Sequence, residues 1–220
     1  MKAGNCSYGC AKDVPSVIPV FPLPEALLLP RADMPLNIFE PRYLAMIDAA
    51  MSGNRVVGMV QIDEAAPPCA AGPTLRKIGC AGRIVSYAET GDGRYMITLT
   101  GIARFRIVEE MPQQTPFRLC RVTAEPFAVD FDSAEQAIDR NAVLRAFRAY
   151  LAAHDLDADW ESVGRASNET LVNALAMMAP FGAAEKQALL EAPDLRARAE
   201  TLVAIAEMAI PRPGAGRTLQ

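Results

Sequence analysis

Histidine and lysine are scarce in this sequence, and their scarcity excludes several kinds of active site. The 220 residues contain one histidine, His154, and the lysines are Lys2, Lys12, Lys77 and Lys186. The phosphate-binding loop pattern G-x-x-x-x-G-K-[ST] does not occur, so the sequence predicts no ATPase of that class. A cysteine–histidine nucleophile pair would have to use His154, which we expect at the end of an exposed helix, where the helix dipole favours a cation.

Long apolar runs are also missing. Prolines and charges interrupt every candidate before it reaches the roughly 20 residues that a membrane span needs. The first residues, MKAGNCSYGCAKD, lack the apolar middle region of a signal peptide. We therefore expect a cytoplasmic protein that does not associate with a membrane.

Cysteine is present in an odd number, without the even, closely spaced framework of a small secreted domain. The five cysteines are Cys6, Cys10, Cys69, Cys80 and Cys120. We expect reduced thiols. The pair Cys6 and Cys10 supplies two of the four ligands of a closed structural zinc site, so we interpret both as free thiols and predict no metal and no cofactor.

The composition is that of a globular protein, with 51% hydrophobic and 22% charged residues. The formal net charge of −4 gives no global attraction to nucleic acid or to an anionic membrane. The chain is long enough to bury a sizeable core, in one large domain or in two small ones.

Residues 17–51 predict a strand, a loop, a second strand and a helix. Pro19, Pro22 and Pro24 cannot donate to a strand ladder, which predicts an edge strand or a strand end for this piece. The second strand is expected over residues 34–39. The helix is expected over residues 41–51, because proline is favoured at the first helical position. The residues predicted at helical spacing to form its buried face are Tyr43, Met46, Ile47 and Ala50.

The rest of the first half predicts further strands. Residues 55–62 are apolar on both faces, as expected of a central strand. The glycine-rich residues 90–93 separate two alternating runs and predict a hairpin, and Gly101 predicts a bulge. Another strand is expected over residues 117–124. Six or so short strands with one helix favour a closed or nearly closed barrel.

Helical periodicity begins near Asp130, where residues 133–136 fit a capping box. Further helices are predicted up to His154, after Ser167 and over residues 183–191 and 194–209. The predicted fold class is therefore α+β, with a small barrel followed by an α-helical subdomain. The predicted divisions are a flexible N-terminal tail (1–13), a barrel domain (14–128), the helical subdomain (129–210) and a flexible C-terminal tail (211–220).

Three segments occur in a familiar order. They are PVFPL with MPLNIFEPRY (residues 19–43), IGCAGRIVSYAETGDGRYMITLTGIARFRI (78–107) and PFGAAEKQALLEAPDLRARAETL (180–202). Together they resemble the N-terminal, substrate-recognising domain of Lon-type ATP-dependent proteases, in its stand-alone bacterial form. The resemblance implies a pseudouridine-synthase-and-archaeosine-transglycosylase-like (PUA-like) pseudo-β-barrel.

The resemblance also implies a non-catalytic binding protein, whose ligand would be an unfolded or degron-bearing polypeptide or a protease partner. The ATPase motif is missing, and no lysine lies in a segment resembling the Ser–Lys proteolytic domain. We therefore expect neither ATP hydrolysis nor peptide cleavage. The alternatives are an RNA-associated PUA-like module and a thiol enzyme, the latter requiring a cysteine of lowered pKa beside His154.

Two pairs of residues are candidates for peptide binding. Arg42 and Tyr43 match the EPRY-like segment of the family, although a pairing of Arg42 with Glu40 would serve to tie the helix to the barrel, and we favour that structural use. Pro180 and Phe181 are typical of a helix breaker followed by a packing aromatic. An exposed Phe181 would instead receive an apolar side chain of a peptide.

A possible basic patch carries the RNA hypothesis, because adjacent strands would bring its arginines together. These arginines are Arg83, Arg94, Arg104 and Arg106. Apart from Tyr87 and Tyr95, the sequence has no interleaved aromatic series on which bases would stack. We therefore favour a solvated outer face and expect no RNA partner.

Overall fold

The structure is a computed structural model that describes residues 1–68, 72–132 and 137–210. Three features named above lie outside the described residues: Cys69, the capping box over residues 133–136 and the tail over residues 211–220. None of the helices in the described part of the chain has the length and apolarity that a membrane crossing requires.

The described residues divide into two compact units. The first unit contains residues 1–132 and 179–191, and the second contains residues 137–178 and 192–210. The structure thus differs from the single continuous helical subdomain predicted over residues 129–210. Residues 179–191 return to the first unit, for the reason given below.

The first unit is built on a closed β-barrel. The strands of the described residues are β1 (Lys2–Ala3), β2 (Cys6–Ser7), β3 (Val17–Pro22), β4 (Asp33–Ile38), β5 (Val56–Val60), β6 (Ile78–Glu89), β7 (Tyr95–Glu110) and β8 (Arg118–Thr123). The main sheet has the order β4-β7-β6-β5-β3-β8, and β8 also pairs with β7. This last pairing closes β3, β5, β6, β7 and β8 into a ring, so the predicted α+β fold with a small barrel is confirmed.

One α-helix lies between strands β4 and β5, and the other α-helices follow β8. They are α1 (Pro41–Met51), α2 (Arg140–Ala153), α3 (Trp160–Arg165), α4 (Asn168–Met178), α5 (Ala183–Glu191) and α6 (Leu195–Ala209), with 3-10 helices over Ala11–Asp13 and Glu125–Phe131. The bounds of α1 and its buried residues are those predicted from the sequence. The start at proline and the apolar face at helical spacing were sufficient to define it.

Strand β3 lies inside the ring and not at a sheet edge, so of the two predicted placements the strand end fits Pro22, whereas Pro19 lies within the strand. Residues 17–20 pair with β8, whereas residues 20–22 pair in parallel with β5. Each half of the strand therefore uses a different neighbour. This split lowers the number of backbone amides that β3 must donate, which explains how an internal strand accommodates Pro19 and Pro22.

The hairpin of β6 and β7 has the glycine turn and the bulge that the sequence predicts. Gly91 in the turn has a φ of 79°, and the register shifts beside Gly101. A Cβ atom on Gly101 would collide with the carbonyl oxygen of Leu29, because the loop before β4 crosses the strand there. The backbone amide of Arg31 donates to the Gly101 carbonyl oxygen at 2.8 Å and holds this loop in place.

Residues 1–13 pack on the barrel and do not form the flexible tail predicted from the sequence. Strands β1 and β2 pair with each other, and the 3-10 helix Ala11–Asp13 follows. Ala3 and Tyr8 are buried in the hydrophobic core of the barrel. Strands of two residues are too short to give a periodic pattern, so the sequence offered no signal for them.

A buried ion pair joins α5 and the 3-10 helix Glu125–Phe131 to the barrel. Arg104 on β7 is 1% exposed, and its Nη2 lies 2.8 Å from Oδ1 of Asp130. The carboxylate also accepts the backbone N–H of Arg104 at 2.8 Å. The guanidinium group lies over the ring of Phe127 and donates from Nη1 to the carbonyl oxygen of Leu190 in α5 at 3.2 Å. These contacts hold residues 179–191 in the first unit.

The second unit consists of α2, α3, α4 and α6. Asp139 and Asp194 each accept a hydrogen bond from a first-turn amide and so begin α2 and α6. Ser167 caps α4 as predicted, because its hydroxyl oxygen accepts the backbone N–H of Thr170 at 3.2 Å.

The buried face of α4 differs from the predicted one. Helical spacing after Ser167 predicts that Leu171, Leu175 and Met178 share the buried face, but Met178 is 83% exposed. Asn173 is buried instead, and its Oδ1 accepts from Nη1 of Arg198 in α6 at 3.2 Å. This polar contact turns the helix so that Leu171, Val172, Asn173 and Ala176 are buried.

Replacing Asp130 with alanine should lower the free energy of unfolding by about 3–5 kcal/mol, because the guanidinium group of Arg104 would remain buried without its counter-charge. Urea denaturation followed by far-UV circular dichroism measures this change. The matched control is Glu109→Ala, which breaks the exposed pair with Arg121 and should leave the denaturation midpoint nearly unchanged. Similar losses for both variants would contradict the role assigned to the buried pair.

Candidate functional site

Strand β4 has an open edge, and this edge is the first feature of the candidate site. Among the described residues, β4 pairs with β7 on one side and with no strand on the other. The closed ring satisfies the edges of the barrel strands, whereas β4 lies outside the ring. An open edge presents backbone C=O groups and, except at Pro35, N–H groups with which an added extended segment can pair.

Two exposed apolar side chains lie beside this edge. Met96 on β7 is opposite Asn37 of β4 and is 54% exposed, and Phe39, which directly follows β4, is 62% exposed. Their neighbours Pro35 and Asn37 on β4 are also exposed and carry no charge. The open edge, Phe39 and Met96 are together called the β4 site below. It combines backbone pairing groups with apolar side chains on which a ligand can pack.

The start of α1 supplies a charged pair next to the β4 site. Nε of Arg42 donates to Oε2 of Glu40 at 3.0 Å, and both side chains are about half exposed. Arg42 also lies 4.5 Å from the ring centroid of Tyr43. Tyr43 itself is buried, its ring centroid is 4.2 Å from that of Phe21, and burial raises its pKa. Arg42 is therefore accessible to a ligand, whereas the buried ring of Tyr43 packs against its guanidinium group.

The pair Pro180 and Phe181 does not offer an exposed aromatic. Pro180 is exposed, but Phe181 is 6% exposed and lies just before α5. The interpretation as a helix breaker followed by a packing aromatic fits this placement. The alternative, in which Phe181 receives a peptide side chain at the surface, does not fit it.

The four arginines of the predicted basic patch point to different partners and form no patch. Arg83 is 7% exposed and Arg104 1% exposed, so neither presents its charge to solvent. Arg94 lies in the hairpin turn, where Nε is 3.3 Å from Oδ2 of Asp92. Arg106 remains exposed on β7. The sequence favoured a solvated outer face for all four arginines. In the structure, the side chains of Arg83 and Arg104 are buried and form hydrogen bonds with other segments of the chain.

The thiol-enzyme hypothesis finds no supporting geometry in the described part of the chain. Burial raises the pKa of Cys120 to about 12, the opposite of what a nucleophile needs, and Cys80 is fully buried. His154 is exposed at the end of α2, and its Nε2 lies 3.2 Å from the carbonyl oxygen of Ala209. No group of three or more His, Cys, Asp or Glu side chains among the described residues is arranged to hold a metal ion.

With this geometry established, comparison with known proteins decides the family. Residues 17–207 match the family model of the ATP-dependent protease La (LON) substrate-binding domain. The chain belongs to the Lon substrate-binding domain family. The relationship predicted from the three sequence segments is therefore confirmed.

The relatives of this Lon family member include full-length proteases. The chain is 29% identical to Lon protease 2 of Myxococcus xanthus over 192 residues, which are 85% of this chain and 23% of that protein. It is 27% identical to Lon protease of Anaeromyxobacter dehalogenans, again over 85% of this chain and over 22% of the relative. The chain thus spans less than a quarter of the length of these two relatives.

Solved structures of Lon N-terminal domains share the fold. The crystal structure of a Lon N-terminal domain protein from Xanthomonas campestris aligns with a TM-score of 0.60 at 22% identity and covers 86% of this chain and 97% of that one. The N-terminal domain of a Mycobacterium avium complex Lon protease aligns with the same TM-score at 19% identity, with the same coverage of both chains.

Sequence reasoning did not single out Phe39 and Met96, although a signal existed for one of them. Alternation along β7 places Met96 on the same face as Thr98, opposite the buried Ile97 and Leu99. That pattern identifies an outward methionine. Phe39 lies between a strand and a helix, where no periodicity applies, so its exposure required the structure.

Replacing Phe181 with alanine should lower the free energy of unfolding by about 3–5 kcal/mol, because it removes a buried aromatic side chain. Arg42→Ala, at the other candidate pair, should leave stability nearly unchanged, since its ion pair is exposed. Urea denaturation of both variants measures the difference. A Phe181→Ala variant as stable as the parent would contradict the packing role of this residue.

Proposed function

We propose that this chain binds unfolded or degron-bearing polypeptides at the β4 site without changing any covalent bond in them. The open edge of β4 is the observation that carries this proposal, since an extended segment can pair with it as an added strand. The description of the family as a substrate-binding domain supports polypeptide as the ligand class.

The edge explains why an unfolded ligand would be preferred. A folded protein has most of its backbone N–H and C=O groups paired internally, so it has few stretches free to form a ladder with β4. An unfolded chain exposes these groups together with apolar side chains. Phe39 and Met96 would then contact alternate apolar side chains of the added strand.

The charges around the β4 site fit a polypeptide of mixed sequence better than a nucleic acid. Arg42 is paired with Glu40, and Asp33 of β4 accepts the hydroxyl hydrogen of Thr100 at 2.6 Å. Neither sign of charge dominates this surface. Recognition of RNA would require unpaired positive charge along the path of the phosphates.

The chemistry of the same surface supports a non-catalytic role. The β4 site contains backbone groups, a thioether and an aromatic ring, and the exposed Glu40–Arg42 ion pair lies next to it. It therefore holds and orients a ligand but supplies no nucleophile with an adjacent base. In our proposal the bound polypeptide is a client of proteolysis carried out by a protease module or a protease partner.

Replacing both Phe39 and Met96 with alanine should weaken binding of an unfolded polypeptide about tenfold or more, because two apolar contacts at the centre of the site are lost. The measurement is fluorescence anisotropy with a labelled, reduced and carboxymethylated polypeptide. Since both side chains are exposed, the variant should keep the circular dichroism spectrum of the parent protein.

The matched control is Met178→Ala with Met208→Ala, which removes two methionines that are each 83% exposed in the second unit. This control should bind as the parent does. A peptide N-methylated at alternate residues should bind more weakly than its unmodified form, because it cannot complete the ladder with β4. Equal loss of affinity in both double variants, or indifference to N-methylation, would refute the β4 site.

A further inference from the structure

A cavity of about 430 Å³ lies beside the N-terminal segment, and none of its lining residues belongs to the β4 site. One wall comes from the N-terminal segment and the other from the turn after α1 together with β6. Its lining residues are Cys6, Ser7, Tyr8, Asp13, Pro15, Gly53, Asn54, Arg55, Val56 and Arg83. The wall formed by residues 6–15 lies outside the family match over residues 17–207, so this cavity uses residues that the family match does not cover.

Arg83 lines the cavity as a buried cation without a counter-charge. It is 7% exposed, and its guanidinium group donates to Asn54 O at 2.7 Å, to Asn5 Oδ1 at 3.0 Å and to Tyr8 Oη at 3.4 Å. All three acceptors are neutral, and no carboxylate of the described residues forms an ion pair with it. Burial of a charge is normally accompanied by an opposite charge, so this arrangement is suited to an incoming anion.

Arg55, in the turn after α1, supplies a second guanidinium group on the same wall as Arg83. Its φ is 62°, and this left-handed backbone conformation is fixed by a hydrogen bond of 2.9 Å from its N–H to the Ala50 carbonyl oxygen. The side chain is exposed and has no hydrogen-bond or ion-pair partner in the part of the chain that the structure describes. It is therefore available to a ligand in the cavity.

The remaining polar groups leave the cavity with an excess of positive charge. Asp13 is the one carboxylate in the lining, and its Oδ2 already accepts the backbone N–H groups of Gly9 at 2.6 Å and Cys10 at 3.0 Å. These bonds lower its pKa and hold it ionised. Two guanidinium groups against one satisfied carboxylate leave one net positive charge, with the hydroxyl groups of Ser7 and Tyr8 as further donors.

We propose that this cavity binds a small ligand through an oxyanion, a carboxylate or a phosphate, held between Arg55 and Arg83. Planar guanidinium groups match both oxyanions with paired N–H donors. The volume exceeds that of an isolated anion and leaves room for an organic ligand body. The proposal is independent of polypeptide binding at the β4 site.

The alkylation rate of Cys6 tests this proposal, because Cys6 lines the cavity whereas Cys10 is exposed outside it. Iodoacetamide labelling is followed by peptide mass spectrometry in sodium phosphate, in sodium citrate and in sodium chloride of equal ionic strength. Phosphate or citrate should slow labelling of Cys6 saturably, about tenfold at ten times Kd by mass action, and leave Cys10 unchanged. Protection by citrate alone assigns a carboxylate, and protection by phosphate alone assigns a phosphate group.

The variant Arg55→Asn should abolish this protection, since asparagine tolerates the left-handed backbone but removes the charge. Arg106→Gln, which removes an exposed arginine of the same unit outside the cavity, should retain it. An unchanged rate of Cys6 labelling in sodium chloride verifies that the N-terminal segment remains in place in each variant, because Cys6 is partly buried there. Equal protection by chloride, no protection by either anion, or full protection in Arg55→Asn would overturn the proposal.

Discussion

The pairing of Arg104 with Asp130 is the interaction on which the first unit most depends. A guanidinium and a carboxylate removed from water must meet in good geometry and with their remaining hydrogen bonds satisfied, or the fold loses several kcal/mol. Here the pair fixes β7, the 3-10 helix after β8 and α5 at one point. The carbonyl group of Asp130 also accepts from Arg31, which places the loop before β4. The ion pair therefore also helps to fix the loop that leads into β4.

The pairing that closes the barrel also leaves β4 outside the ring, with one edge unpaired among the described residues. Each of the five ring strands pairs with two neighbours in the ring, whereas β4 pairs with one strand among the described residues, so the proposed strand addition is assigned to β4. The bend at Gly101 separates the part of β7 that belongs to the ring from the part that carries β4. In the main sheet of the described residues, β4 is thus the strand that the closed ring leaves with an unpaired edge.

Local patterns predicted the elements that are defined by their own residues. Helix α5 and helix α1 have the predicted bounds because proline, glycine and apolar spacing mark them within the segment itself. The placement of Arg104 was not predictable in this way, since its burial depends on Asp130, which lies 26 residues along the chain. The packed N-terminal segment and the internal position of β3 depend equally on partners distant in sequence. The β4 site could not be predicted from the sequence either, because whether a strand has an unpaired edge depends on how all the strands of the sheet pair.

Residues 179–191 complete the first unit after the chain has already passed through most of the second. Translation therefore delivers α2, α3 and α4 before the ribosome has supplied Leu190, whose carbonyl oxygen accepts from the Arg104 guanidinium. Until then the nascent barrel must carry that cation without this acceptor. Each unit also consists of two separate stretches of the polypeptide, so neither is a contiguous module that gene fusion or truncation can transfer intact.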